Sequence, residues 1–359
     1  MRIRAERDDL ADVLARAGRA VGTRSPLPIL QGVLCEVSGS KLTVTGTDNE
    51  ITVRTYLDVE VTEEGRTVIP AKLAAEAVRK LPAGAVTLSS SDGEVEIIGG
   101  GPRFKLREMA VDDYPKVTDT AIEGGIDVNG AQLIGALGQV GVAASSDDAR
   151  PTLTGVLFEG DGDSLRLVAT DSYRLGVRDV EGVATEGSKL VPYRALRELG
   201  RTIGAGPMTV ALGDREASFV TDNGRLTVRI IDSTFPNYRQ LLPDGHLNRL
   251  SVDKAAFLEA VGRAALVAED HIPVRLAMHA GGVELSVIRQ EVGEETELLE
   301  GEYTGEDMTI AFNTRYLTDG LNAVDDEKVV IETSDPLKPG LLLGAEKRDF
   351  QYLLMPVRL

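Results

Sequence analysis

One pattern of apolar residues occurs three times along the chain, and it restricts the fold more than any other feature. Its first copy carries Ile3, Leu10 and Leu14, its second Ile126, Leu133 and Leu137, its third Leu250, Phe257 and Val261. The internal spacings of 7 and 4 are identical in all three, and successive copies lie 123 and 124 residues apart. A spacing of 4 places two side chains on one helix face. Each copy therefore opens as a short strand followed by an amphipathic helix. A second strand-and-helix start recurs at Val68–Leu73, Leu190–Ala195 and Ile310–Arg315, with offsets of 122 and 120. Ser38-Gly39-Ser40, Gly160–Asp163 and Ala280-Gly281-Gly282 are hairpin signals between alternating strands such as Lys41–Thr45 and Ser164–Val168. A unit repeated at this period means three similar α+β domains. The expected divisions are 1–122, 123–245 and 246–359, with breaks where Gly, Pro and polar residues cluster near Asp119–Gly125 and Pro243–Asn248.

Composition excludes several classes. With 359 residues, 42% of them hydrophobic, the chain can bury several cores. No apolar run approaches the roughly 18 residues of a membrane span, and no apolar stretch follows Met1–Arg7 as a secretory signal would require. One cysteine, Cys35, excludes a disulfide framework or a Cys-based zinc site and fits the cytosol. It lies in the alternating strand Gly32–Val37 and reads as a small core residue.

Catalytic constellations are weak. His246, His271 and His279 have no metal-ligand spacing and read as surface or loop residues. Asp112-Asp113, Asp147-Asp148 and Asp325-Asp326 are adjacent pairs that suit turns better than a proton-sharing dyad. Gly99-Gly100-Gly101-Pro102 lacks the Lys-Ser/Thr of a phosphate loop and reads as a hairpin turn. There is no Gly-x-Ser-x-Gly elbow. Neither a metal nor a cofactor is expected, and an enzyme is disfavoured.

The formal net charge of −18 at first argues against nucleic acid, because an evenly acidic surface repels phosphate. The charge is uneven, however. Residues 1–123 carry −4, 124–243 carry −3 and 244–359 carry −11. Basic residues also recur on helices of the first two thirds. Arg194, Arg197 and Arg201, at i, i+3 and i+7, are expected on one helix face, and Lys72, Arg79 and Lys80 on the matching helix, with Arg16 and Arg19 nearby. Such faces suit phosphate, which needs charge and no shaped pocket.

Four segments then carry a resemblance. Leu27–Leu30, Ala169–Leu175, Phe235–Arg239 and the final Leu354-Met355-Pro356-Val357-Arg358-Leu359, in this order on a threefold repeat, resemble the β subunits of bacterial DNA polymerase III, the sliding-clamp family. The resemblance covers the whole chain. It implies three clamp domains per chain and a head-to-tail homodimer closing a six-domain ring, with β-sheets outside and helices around duplex DNA. It implies a non-catalytic, cytoplasmic, nucleoid-associated processivity factor, with the polymerase α subunit, the clamp loader and other motif-bearing proteins as partners. Arg24, Lys72, Arg79, Arg194, Arg197 and Arg201 would face the hole. A partner-peptide cleft would contain Leu153, Thr170, Leu175, Pro236, Leu241, Leu353, Met355, Pro356 and Val357, with Arg150, Arg174, Asn313 and Arg358 holding backbone or acidic groups. Ser172-Tyr173 stands where many members have Gly-His, and Gln240 and His271 also depart from the family pattern, which bears on peptide preference. The dimer would pair the edge Arg103, Phe104, Lys105, Leu106 with an acidic strand bearing Glu294, Glu295 and Glu297, near Leu266; such complementarity sets partner choice. A clamp paralogue that confers resistance to a clamp-binding inhibitor is the alternative.

Overall fold

The amphipathic spacing that opens each repeat becomes a helix in every case. In the computed structural model, which describes residues 1–22, 27–117, 124–242, 245–268 and 272–358, these helices are α1 (Arg7–Ala17), α3 (Gly130–Gly141) and α6 (Lys254–Ala264). Leu10, Leu14, Leu133, Leu137, Phe257 and Val261 are all buried. Capping follows the sequence. Asn129 accepts a bond from the Gln132 amide at 3.1 Å, and Asp253 from the Ala256 amide at 2.8 Å. In α1, Asp8 and Asp9 occupy the first turn and Arg16 the last, each complementing the helix dipole.

The second half of each repeat gives α2 (Ala71–Lys80), then α4 (Tyr193–Leu196) with α5 (Leu199–Thr202), and α7 (Thr314–Ala323). The single helix expected through Arg194–Arg201 is broken. At the break the Glu198 and Arg201 amides bond carbonyls three residues back, on Ala195 and Glu198, and Gly200 weakens the following turn.

Strand pairing divides the chain into two compact units, Met1–Ile134 with Arg194–Ile230, and Gly135–Tyr193 with Ile231–Leu359. Each contains two antiparallel sheets. The first has a five-stranded sheet ending on Arg103–Arg107, and an eight-stranded sheet in which Ile51–Asp58 of the first repeat pairs with Gly224–Arg229 of the second. The other has a four-stranded sheet ending on Gly293–Glu300, and a nine-stranded sheet in which Arg174–Glu181 of the second repeat pairs with Phe350–Leu354 of the third. Sheets thus run continuously across repeat boundaries, and half of the second repeat belongs to each unit. This fusion was beyond local pattern, since pairing partners 169 or more residues apart carry no signal in spacing.

Smaller expectations resolve locally. The three hairpin signals join the strand pairs 32–38/41–47, 155–161/164–170 and 274–279/282–289. Gly99–Pro102 is a turn closed by the Gly99 amide on the Pro102 carbonyl. Cys35 is fully buried, and burial pushes its thiol up to about 12. His279 ends a strand, and His271 lies outside the described residues. His246 lies in a loop, as expected, but its ring is mostly buried, 3.8 Å from Glu332. Burial lowers its pKa, opposed by that carboxylate.

Candidate functional site

Three surfaces carry the candidate residues. The first surrounds the pairing of Arg174–Glu181 with Phe350–Leu354, where Leu175 sits opposite Leu353. Both side chains belong to a buried cluster with Leu157, Val168, Val177 and Tyr238, against which Phe235 and Leu242 pack half-buried. Leu153 and Thr170 are also buried. The segment Phe235–Arg239 is fastened by Glu159, whose carboxylate accepts from the Tyr238 hydroxyl at 2.5 Å and from Arg239 at 2.8 Å. Burial, and then Glu159, pushes the Tyr238 phenol up to about 12.

Above this floor the chain exposes apolar groups. Leu241 is 45% exposed and Met355 40%, with Pro236 exposed and Pro356 and Val357 half-buried. Exposed apolar groups clustered on a rigid base mark a binding surface. Two backbone bonds hold the C-terminal tail in place: the Met355 amide to the Tyr173 carbonyl at 2.9 Å and the Val357 amide to the Ala311 carbonyl at 2.8 Å. Arg150 and Arg358 are exposed; Arg150 is paired with Asp147 at 2.9 Å, which holds the Asp147 carboxyl below the usual range.

Two candidate donors have other work. The expectation that Arg174 holds groups of a peptide is corrected by its surroundings. It is buried, and donates to Asp171 at 2.9 Å, Asp319 at 2.5 Å and the Tyr352 hydroxyl at 3.2 Å. A buried guanidinium requires such partners, so Arg174 shapes the hairpin tip from beneath. Asn313 caps α7 by accepting from the Tyr316 amide at 3.1 Å.

Sequence reasoning missed Tyr316. Its ring lies 4.4 Å from the Arg174 guanidinium and stacks with Tyr173 at 6.2 Å between centroids. Tyr173 is 57% exposed, on a tip where Ser172 adopts φ +83°. The only available signal was the i+3 step from the Asn313 cap. Gly320, one turn further, is required because the Tyr352 ring occupies the place of a Cβ.

The second surface is basic. Lys72 and Arg79 project from α2, exposed and without an ion pair among the described residues, beside an open hollow between α1 and α2 that also holds Leu73, Glu76 and Arg19. Arg19 pairs with Glu198 at 2.6 Å, and Arg16 donates to the Thr202 and Asn223 carbonyls. Arg197 and Arg201 are exposed, each 3.8 Å from Glu198. Arg194 differs from the expected basic stripe, since Asp48 and Glu50 both pair with it and offset its charge. Arg24 lies outside the described residues.

The third surface is a pair of sheet edges. On Arg103–Arg107 the exposed side chains are basic while Phe104 is half-buried and Leu106 buried. Arg103 and Lys105 pair with Glu96 and Glu94 of the neighbouring strand. On Gly293–Glu300, Glu294 is exposed, whereas Glu295 and Glu297 share the half-buried face with Leu299. Arg263 of α6 forks onto Glu297 through two bonds of 2.7 Å. One Glu295 oxygen is buried without a partner among the described residues, and burial, then Glu297, raises its pKa. Leu266, just beyond α6, is 83% exposed. Charges turned inward on an edge strand prevent indiscriminate pairing.

Comparison with known proteins agrees along the whole chain. Residues 1–118, 127–237 and 239–358 match the N-terminal, central and C-terminal domains of the DNA polymerase III beta subunit. The chain is 33% identical to the beta sliding clamp of Streptomyces coelicolor, with all of both chains covered. It is 30% identical to the beta sliding clamp homolog GriR of Streptomyces muensis, covering all of this chain and 99% of that one. The DNA polymerase III subunit beta structure from Pseudomonas aeruginosa superposes with a TM-score of 0.94 at 28% identity, again over both full chains. A griselimycin-bound sliding clamp from Bartonella birtlesii gives 0.95 at 29%, with both chains fully covered.

Proposed function

Because the chain belongs to the DNA polymerase III beta-subunit family, with three clamp domains of mixed helix and strand, we propose that it works as a replicative sliding clamp: a homodimeric ring that encircles duplex DNA and tethers the polymerase and other replication proteins. It is a processivity subunit of a non-catalytic family. The division at 1–122, 123–245 and 246–359, a cytoplasmic location and the absence of a turnover of its own are parts of this reading. No described helix is long and apolar enough to cross a membrane.

The observation that carries the reading is the pair of sheet edges of opposite charge. Arg103, Lys105 and Arg107 on one edge and Glu294, Glu297 and Glu300 on the other suit head-to-tail pairing between two copies, which covers both of these edges in a closed ring. The buried Glu295 oxygen, unpartnered among the described residues, is a group that an arriving basic strand would satisfy.

DNA binding then needs little affinity, because escape from a closed ring requires opening it. Lys72, Arg79, Arg197 and Arg201 supply exposed charge for phosphate without reading bases, and Arg194 is a weaker member, its charge already shared with Asp48 and Glu50. Partner peptides dock on the apolar surface of Pro236, Leu241, Met355, Pro356 and Val357, with Leu153, Thr170, Leu175 and Leu353 as its floor and Arg150 and Arg358 at its edge. Sedimentation tests the dimer: a two-chain particle at micromolar concentration supports the ring, and a single chain refutes it.

The resistance-paralogue alternative rests on one observation, the similarity to the homolog GriR. Retained peptide affinity with lost inhibitor affinity would favour it.

A further inference from the structure

The two joins inside the chain repeat one another residue by residue, and they leave a third join unmade. In each, the strand that follows one repeat's hairpin pairs with the last strand of the next repeat: Ile51–Asp58 with Gly224–Arg229, then Arg174–Glu181 with Phe350–Leu354. The strands with the same places in the third and first repeats, Gly293–Glu300 and Arg103–Arg107, each end a sheet.

A side chain of the first helix accompanies each strand pairing. Arg16 of α1 donates through Nε to the Thr202 carbonyl at 2.6 Å, and Gln139 of α3 through Nε2 to the Ala323 carbonyl at 2.8 Å. Thr202 is the last residue of α5, and Ala323 the last of α7. The final carbonyls of a helix have no partner within it and form the negative end of its dipole, so each donor caps the second helix of the next repeat. Arg16 and Gln139 are equivalent positions, since they lie 123 residues apart, as Ile3 and Ile126 do. The same position in the third repeat, 124 residues further on, is Arg263 of α6. The corresponding helix end is Lys80, the last residue of α2.

Arg263 reproduces its counterpart in all but the cap. Arg16 pairs with Asp12 one turn earlier at 3.1 Å, and Arg263 with Glu259 at 3.7 Å. The Arg16 side chain, in a completed join, is 17% exposed, whereas that of Arg263 is 48% exposed. The Nε that Arg16 gives to a carbonyl is given by Arg263 to Glu297 of its own edge strand, at 2.7 Å.

We propose that Arg263 caps α2 of a second copy, its Nε turning from Glu297 to the carbonyl of the partner subunit's Lys80. This rests on the head-to-tail reading above and adds to it a helix-to-helix contact that positions the two copies. Glu297, released by Arg263, is left to the basic strand that arrives beside it. Closing the join thus exchanges an ion pair within one chain for a helix cap and an ion pair between two.

The test is sedimentation of the full-length protein and of two variants at the exposed position 263. Arg263→Leu should weaken dimerisation at least about tenfold, the loss of a charge-assisted bond. Arg263→Gln, which sets the amide of Gln139 in the equivalent place, should weaken it no more than about threefold. Both remove the same charge from Glu297, so a residue acting only through that carboxylate would make the two alike. A second arm joins the helices directly. In Lys80→Cys/Arg263→Cys, where the one other cysteine is the fully buried Cys35, a short bismaleimide should link two chains, and neither cysteine alone should do so. An unaltered protein that sediments as a single chain overturns the ring and this contact together. A two-chain protein whose Leu and Gln variants dimerise alike, or whose double variant is linked no better than the single ones, overturns the contact and leaves the ring standing.

Discussion

The chain joins its repeats twice by the same device, and the two joins differ in chemistry. Both are antiparallel pairings of strands from neighbouring repeats. The first places Arg54 opposite Arg225, packs Gly224 against the Arg54 carbonyl and is crossed by the Met109–Val117 strap. The second places Leu175 opposite Leu353 over a buried apolar cluster and leaves Leu241 and Met355 exposed beside it. The polar join is closed over; the apolar join keeps an uncovered hydrophobic rim. A sheet fusion can therefore serve as a fastening or as the floor of a recognition surface, depending on which side chains flank it.

Breaking the apolar join's outer rim gives the largest expected effect. Deleting Met355–Leu359 removes Met355, Pro356 and Val357 and should reduce affinity for a clamp-binding peptide by at least about 100-fold, measured by fluorescence anisotropy. The thermal midpoint should hardly move, because the side chains of Met355, Pro356, Val357 and Arg358 lie outside the core. Undiminished binding would refute the assigned surface. Next comes Gly224→Ala in the polar join. Its Cβ would collide with the Arg54 carbonyl, a backbone atom that cannot swing aside, so unfolding should show a loss of about 1–3 kcal/mol. The same substitution at Gly135, whose Cβ position is open, should cost nothing and supplies the control.

Smaller effects sharpen the comparison at the edges and helices. Reversing Arg103 and Lys105 to Glu faces acid with acid and should weaken dimerisation about tenfold or more, read by sedimentation; adding Glu294→Arg should recover part of it. Arg197→Ala and Arg201→Ala should each lower the slope of DNA affinity against log salt by about 0.9, and Arg194→Ala by less, because Asp48 and Glu50 already share its charge. An equal effect at all three would mean that Arg194 leaves its carboxylates on binding.

Much of this was legible in the sequence where the information is local. Period and spacing placed α1, α3 and α6, and the three hairpins fell at their glycines. The edge assignment of Arg103–Leu106 and Glu294–Glu300 came from the family resemblance, while their opposite charge was readable in the residues themselves. What escaped depends on distant partners. Nothing near Arg174 announces Asp319 and Tyr352, which lie 145 and 178 residues away yet turn a candidate peptide donor into a buried support. Nothing in Arg194-x-x-Arg197 announces Asp48 and Glu50, or the tightened turn that splits the helix. The net charge of −18 misled only while treated as uniform; resolved along the chain, its excess lies in the last third, beside one acidic edge.

The account's central claim is topological, and one measurement addresses it most directly. After loading, the protein's retention on a closed circular duplex is compared with retention on the same duplex linearised, at a salt concentration that screens phosphate contacts. The account predicts long-lived retention on the circle and rapid loss from the free ends of the linear form. Equal retention on both would contradict it, since the protein would then be holding DNA by contact alone.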